Sequence, residues 1–179
     1  MIISMLRGIN VSGQKTIRMP ELKALVESLG FTQVTTYLQS GNVVFDCANG
    51  EVSTIAGSLE KAIERHFGFT VSVLMRDRDD FRRIIEGNPF LTGRNEDPER
   101  LHVTFLSALP SAVAVKDLET SIDTTDEYFL SGKEIYLFCP NGYGRTKLSN
   151  TFFEKKLKVA ATTRNWKTVN ALYAMVNSR

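Results

Sequence analysis

The chain has 179 residues, 42% of them hydrophobic and 23% charged, with a formal net charge of +2. A chain of this length buries roughly 70% of its unfolded surface without help from disulfides or metals, and no apolar run approaches the roughly 18 to 20 residues of a membrane helix. These properties exclude a disulfide-held miniprotein and a helical membrane protein, and they lead us to expect one compact domain or two small ones sharing a sheet.

Ile2 to Leu6 reads as a buried strand rather than the start of a signal peptide, because Arg7 closes a short apolar stretch. A polar loop from Gly8 to Arg18 leads to Pro20, a favoured residue at the start of a helix. Leu22, Leu25, Val26 and Leu29 then recur at helical spacing before Gly30. Val34 to Gln39 and Asn42 to Asp46 form a predicted hairpin around Ser40 and Gly41. The stripe Val52, Ile55, Ala56, Leu59, Ile63 and Phe67 marks a second helix ending at Gly68, and Phe69 to Met75 a fourth strand. The order β-α-β-β-α-β is the split, ferredoxin-like arrangement.

Asp77 is the expected cap of a short helix, with Asp80 in its first turn and Phe81, Ile84 and Ile85 turned inward. The loop from Gly87 to Pro98 follows and sets the expected halves at residues 1–88 and 89–179. Leu101 to Leu106 opens the second half as a strand, followed by a helix bearing Val113, Ala114 and Leu118. In the next hairpin Ser131 and Gly132 take the place that Ser40 and Gly41 hold in the first, a hint of duplication. Two helices are expected at the end, Ser149 to Leu157 and Asn165 to Val176, with only Val159 to Ala161 available as a last strand. The fold class is therefore α+β, with two ferredoxin-like repeats and helices packed on mixed or antiparallel sheets.

Charge is distributed unevenly. Residues 1–20 carry Arg7, Lys15 and Arg18 and no acid, while residues 141–179 carry eight basic side chains and a single acid, Glu154. The middle is acidic, so basic ends brought together by folding would make one positive face. Lys155, Lys156 and Lys158 read as a solvated helix face. The candidate ligand residues lie on strand-to-helix loops, where unpaired N–H groups favour anions. Arg7, Lys15, Arg145, Lys147 and Arg164 would supply charge, Asn10, Asn141, Ser149, Thr163 and Asn165 neutral hydrogen bonds, and Tyr143 a stacking surface. Asn141 equally suits an Asx-turn, Asn165 a helix cap, and Gly142 with Gly144 a simple turn. Trp166 reads as packing.

Other signals fall short. Gly8 to Thr16 is one residue too long for the phosphate-cradling G-x-x-x-x-G-K-T, and Asn141 to Lys147 lacks the third glycine of a dinucleotide fingerprint. His66 and His102 have no partner at metal-ligand spacing, so no metal or cofactor is expected. Cys47 and Cys139 are isolated and read as reduced core thiols of a cytoplasmic protein. Asp46 and Glu154 are the acids placed to act as a general base.

The blocks LRGINVSGQKTIRMPELKALVESLGF, TYLQSGNVVF, PNGYGRTKLSNTFFEKKL and ATTRNW together resemble a mostly bacterial family, domain of unknown function 1697, over Leu6 to Trp166. The resemblance implies two intertwined ferredoxin-like repeats and no particular activity, and members usually have glycine where Ser12 stands. The leading expectation is a binding module for a phosphate-bearing small molecule, such as a nucleotide, or for a nucleic-acid segment, with no membrane partner. An enzyme acting on a phosphorylated or carboxylated metabolite, with Asp46, Tyr143 or Lys147 moving a proton, and a protein-interaction module are the alternatives.

Overall fold

The computed structural model describes residues 1–47, 52–119 and 124–178. The chain runs β1 (Ile2–Leu6), α1 (Met19–Ser28), β2 (Thr32–Tyr37), β3 (Asn42–Asp46), α2 (Val52–Phe67), β4 (Val73–Asp77) and α3 (Arg78–Glu86). It continues through β5 (Leu101–Leu106), α4 (Ala112–Glu119), β6 (Glu127–Ser131), β7 (Glu134–Phe138), α5 (Asn150–Leu157), β8 (Ala161–Asn165) and α6 (Trp166–Asn177). Two antiparallel sheets result, ordered β2-β3-β1-β4 and β6-β7-β5-β8. The fold is thus α+β with two split β-α-β repeats, each extended by one helix. Two compact units contain them: Met1–Arg82 with Leu172–Arg179, and Arg83–Ala171. Among the described residues no helix is long and apolar enough to cross a membrane.

Each repeat builds its core from the predicted stripes. In the first, Leu22 and Val26 of α1 and Ile55, Leu59 and Ile63 of α2 pack with Leu6, Val43, Phe45 and Val73 of the sheet. In the second, Ala114, Leu118, Phe153 and Leu157 pack with Leu106, Ile135, Leu137 and Ala161. Burial of each large apolar side chain contributes about 1.5–3 kcal/mol. Val113 is 73% exposed, since α4 turns Ala114 and Leu118 to the core instead. Val52, the first residue of α2, is likewise exposed. The loop after α3 is tied down by Arg94, which donates to Glu96 at 2.7 Å and Glu127 at 2.8 Å and lies over the ring of Phe90. That guanidinium holds the Glu127 carboxyl below its ordinary value.

The last strand differs from expectation. Thr163, Arg164 and Asn165 do not form a loop before a helix; they belong to β8, which pairs with β5 from His102↔Asn165 to Leu106↔Ala161. The final third therefore completes the second repeat rather than departing from it.

Strand registers make the repeats comparable residue by residue. Leu6 pairs with Val73 and Leu106 with Ala161, so Val73 and Ala161 are equivalent. Their backbone N–H groups donate to matching glutamates on α2 and α5, Val73 to Glu60 at 2.8 Å and Ala161 to Glu154 at 3.0 Å. Arg76 and Arg164, three residues on, are both buried, and each donates from Nη1 to the preceding residue's carbonyl. The following Asp77 and Asn165 each accept a backbone N–H at 2.8 Å, from Asp80 and Thr168, and so cap α3 and α6. Hairpin equivalence, by contrast, is offset by one residue from the shared Ser-Gly pattern. Asn42 pairs with Met5 and Glu134 with Phe105, which sets Gly41 against Lys133 rather than Gly132.

The two hairpin glycines consequently meet different surroundings. Gly41 has φ +73°, and a Cβ there would lie 2.6 Å from Ile9 Cδ1 and 2.9 Å from Leu6 Cβ. Gly132 has φ +61° with open space around it. Gly132→Ala is expected to cost about 1 kcal/mol from backbone strain alone, whereas Gly41→Ala adds overpacking of about 1–3 kcal/mol. Urea unfolding of the two variants measures the difference; equal losses would contradict the packing seen at Gly41.

Candidate functional site

The loop between β1 and α1 carries five residues with positive φ: Gly8, Asn10, Ser12, Gly13 and Lys15. Three of these are not glycine, and each such residue costs about 1–2 kcal/mol in that conformation. Asn10 offsets much of this cost. Its Nδ2 donates to Ile17 O at 3.0 Å and to Gln39 O at 2.7 Å, and its Oδ1 accepts the Ile17 N–H at 2.8 Å. Ile9 and Ile17 are buried beneath the loop. The clamp sets Lys15 so that Nζ donates to Thr70 O at 2.7 Å, which leaves two ammonium hydrogens for other acceptors. There the loop borders a cleft of about 340 Å³ lined by Arg7, Lys15, Glu60, Lys61, Glu64 and Ser72, among others. The α2 contributors, with Gly57, recur every three or four residues and so share one helix face.

In the second unit, the turn after β7 is held by Gly142, at φ +86°, and by bonds from Gly142 N to Cys139 O and from Arg145 N to Gly142 O. Thr146 Oγ1 then donates to Asp126 Oδ2 at 2.6 Å and accepts the Leu148 N–H at 3.0 Å, fixing the polar segment against the start of β6. An open cleft of about 610 Å³ results, lined by Thr124, Thr125, Asp126, Asn141, Arg145 and Lys147. Asn141 Nδ2 reaches Thr125 Oγ1 at 3.4 Å. Behind it Cys139 is fully buried, and burial, with the nearby Asp126 charge, pushes its thiol up to about 11. Such a thiol is inert at neutral pH.

Two groups of the sequence-predicted ligand residues meet in this way: Arg7 with Lys15, and Asn141 with Arg145 and Lys147. The others carry bonds within the fold. Ser149 caps α5 by accepting the Phe152 N–H at 3.2 Å, and Thr163 bridges Thr104 at 2.7 Å and Asn150 at 2.6 Å. Arg164 is enclosed in β8, donating to Thr162 Oγ1 at 2.8 Å, and burial lowers it to about 10. Of the two acids kept as bases, Asp46 lies 3.6 Å from the N-terminal amine and Glu154 holds the Ala161 amide. Sequence reasoning missed Glu60, Lys61, Glu64 and Asp126. Gly57, a glycine inside a helix and four residues before Lys61, was the signal for the first three.

Comparison with known proteins places the chain in a family. A family model described as "Protein of unknown function (DUF1697)" matches residues 1–136. Among solved structures, the chain is similar to the conserved bacterial protein SP0830 from Streptococcus pneumoniae, with a TM-score of 0.74 and 24% identity over 98% of this chain and 97% of that one. At that identity the likeness shows the fold alone. No curated protein matches the chain.

A buried histidine also lies inside the second unit. His102 on β5 stacks on Tyr143, with ring centroids 4.7 Å apart and planes at 22°. Its Nδ1 is buried with no hydrogen-bond partner among the described residues. Burial depresses the imidazole below its ordinary value, against a smaller opposing pull from the Arg100 backbone. The unfolded chain therefore binds this proton more readily, and stability falls as pH drops below about 6.5. His102→Phe keeps a ring against Tyr143 and removes the titration. The variant is expected to lose less stability than the parent between pH 7.5 and 5.5 in urea unfolding, and identical slopes would contradict the assignment.

Proposed function

The chain belongs to the bacterial family described as protein of unknown function (DUF1697), and from that premise, which fixes no activity, we propose that it binds a phosphate-bearing ligand at the cleft of its first unit. The observation that carries this reading is the meeting of Arg7, Lys15 and Lys61 around one cleft of about 340 Å³. Cations brought together from a strand end, a strained loop and a helix suit an acceptor with several oxygens, which a phosphoryl group supplies. Each charged hydrogen bond contributes about 1.5–3 kcal/mol, and association costs several kcal/mol, so two or three such bonds give weak to moderate affinity.

The second repeat supports the reading by what it lacks. Arg7 N bonds to Ser72 O as Ser107 N bonds to Ala160 O, which makes Ser107 the counterpart of Arg7. The connection from β5 to α4 is also short, ending at Ala112, where the first repeat runs from Arg7 to Arg18. A long polar loop with an arginine at its root is thus an addition to a shared framework, and loops of that kind carry function more often than packing. Arg145 and Lys147, with Asn141 and Tyr143 nearby, form a second and more open cationic subsite in this reading. Cys47 and Cys139, which form no disulfide among the described residues, suit a reducing compartment such as the cytoplasm.

Calorimetric titration with inorganic phosphate at low salt tests the assignment. Lys61→Ala and Lys15→Ala are each expected to weaken binding about ten-fold, while Arg145→Ala leaves the tighter site unchanged. Absence of phosphate binding, or its loss with Arg145→Ala alone, would overturn the reading.

A further inference from the structure

Resting on the proposed phosphate site, we infer that the ligand of the first cleft is a monophosphate ester of a polyhydroxylated compound, such as a sugar phosphate, rather than a nucleotide or a polyphosphate. The lining opposes three cations, Arg7, Lys15 and Lys61, to two carboxylates, Glu60 and Glu64. The excess of positive charge suits one phosphoryl group. A chain of phosphates would bring further anionic oxygens against the glutamates, a like-charge contact that disfavours binding.

The carboxylates also say what else the ligand carries. An ionised carboxylate only accepts hydrogen bonds, so it needs donors from the ligand, and hydroxyl groups supply them. Glu60 Oε1 accepts the Val73 N–H at 2.8 Å, which fixes the side chain in place at the cleft it lines. Glu64 lies one helical turn further along the same face of α2. One turn before Glu60 and Lys61 on the same helix, Gly57 keeps the cleft-lining surface bare: a Cβ there would meet nothing within 4 Å. A ligand can therefore lie along α2 with its phosphate at Arg7, Lys15 and Lys61 and its hydroxyls at Glu60 and Glu64.

A nucleobase finds no counterpart. Among the described residues no aromatic side chain lines the cleft, and Val71 is the single branched aliphatic one. Bases are held chiefly by stacking on rings or guanidinium planes, and Arg7 is already the phosphate's ligand here.

Calorimetry with the intact protein compares glucose 6-phosphate, inorganic phosphate and adenosine monophosphate, on the parent and on Glu64→Gln. The sugar phosphate is expected to bind at least about ten-fold tighter than either other ligand. Glu64→Gln is expected to shrink that advantage to below about three-fold while phosphate itself binds as well or better, since a negative charge has been removed. Nucleotide binding equal to or tighter than the sugar phosphate, or a sugar phosphate no better than phosphate, overturns the inference and leaves the phosphate site standing. Failure of all three ligands to bind overturns both.

Discussion

The amide of Asn10 is the interaction on which the first cleft depends. One side chain makes three hydrogen bonds, two to Ile17 and one to Gln39, and so ties both ends of a strained loop to the first sheet's hairpin. Without it, three left-handed non-glycine residues, Asn10, Ser12 and Lys15, would relax toward conformations open to any chain. The loop's conformational cost is thereby met during folding rather than at the moment a ligand arrives, which is the advantage of a preorganised site. Lys15 benefits directly, because its backbone conformation and its bond to Thr70 O both follow from where the clamp places the loop.

Comparison of the two repeats separates what builds the fold from what has been added to it. Glu60 and Glu154 anchor the same strand amide, Asp77 and Asn165 cap the same helix, and Arg76 and Arg164 fill the same buried place. Residues that recur with the same bonds belong to the framework. The long β1–α1 loop with Arg7 and Lys15 has no such counterpart, whereas Lys61 beside Glu60 is matched in sequence by Lys155 beside Glu154; the Asp126–Thr146 bond with Arg145 and Lys147 has none described in the first repeat. Function on a shared fold resides in sites of this kind rather than in the architecture. Glu60 belongs to both classes, since its Oε1 holds the Val73 amide while the residue also lines the cleft.

Most of the scaffold was legible because its signals are local. Leu22 and Val26, Ile55, Leu59 and Ile63, and the reciprocal Asp77–Asp80 cap are visible as spacing alone. β8 was not, because its residues hide their burial: Thr162, Thr163 and Arg164 read as loop, yet Thr163 is satisfied by Thr104 and Asn150, and Arg164 by Thr162. Polar side chains that pair with one another enter a sheet without any hydrophobic alternation to announce them. The same limit applies to the candidate site. Asn10 and Lys15 look alike on a polar loop, and only the third dimension shows that the amide is committed to the backbone while the ammonium retains donors. Lys61 and Glu64 lie off the apolar stripe of α2, and nothing in their own sequence neighbourhood places the loop beside them.

The central claim is that a preset loop, not a general excess of positive charge, creates the anion site. Amide chemical-shift mapping during a titration with inorganic phosphate, on the parent chain and on Asn10→Ala, tests it most directly. The account predicts saturable shifts in the parent at residues 8–15 and around Lys61, and loss of that localised response in the variant while Arg7, Lys15 and Lys61 are all still present. An unchanged response in Asn10→Ala, or shifts spread over every basic segment of the parent, would contradict it.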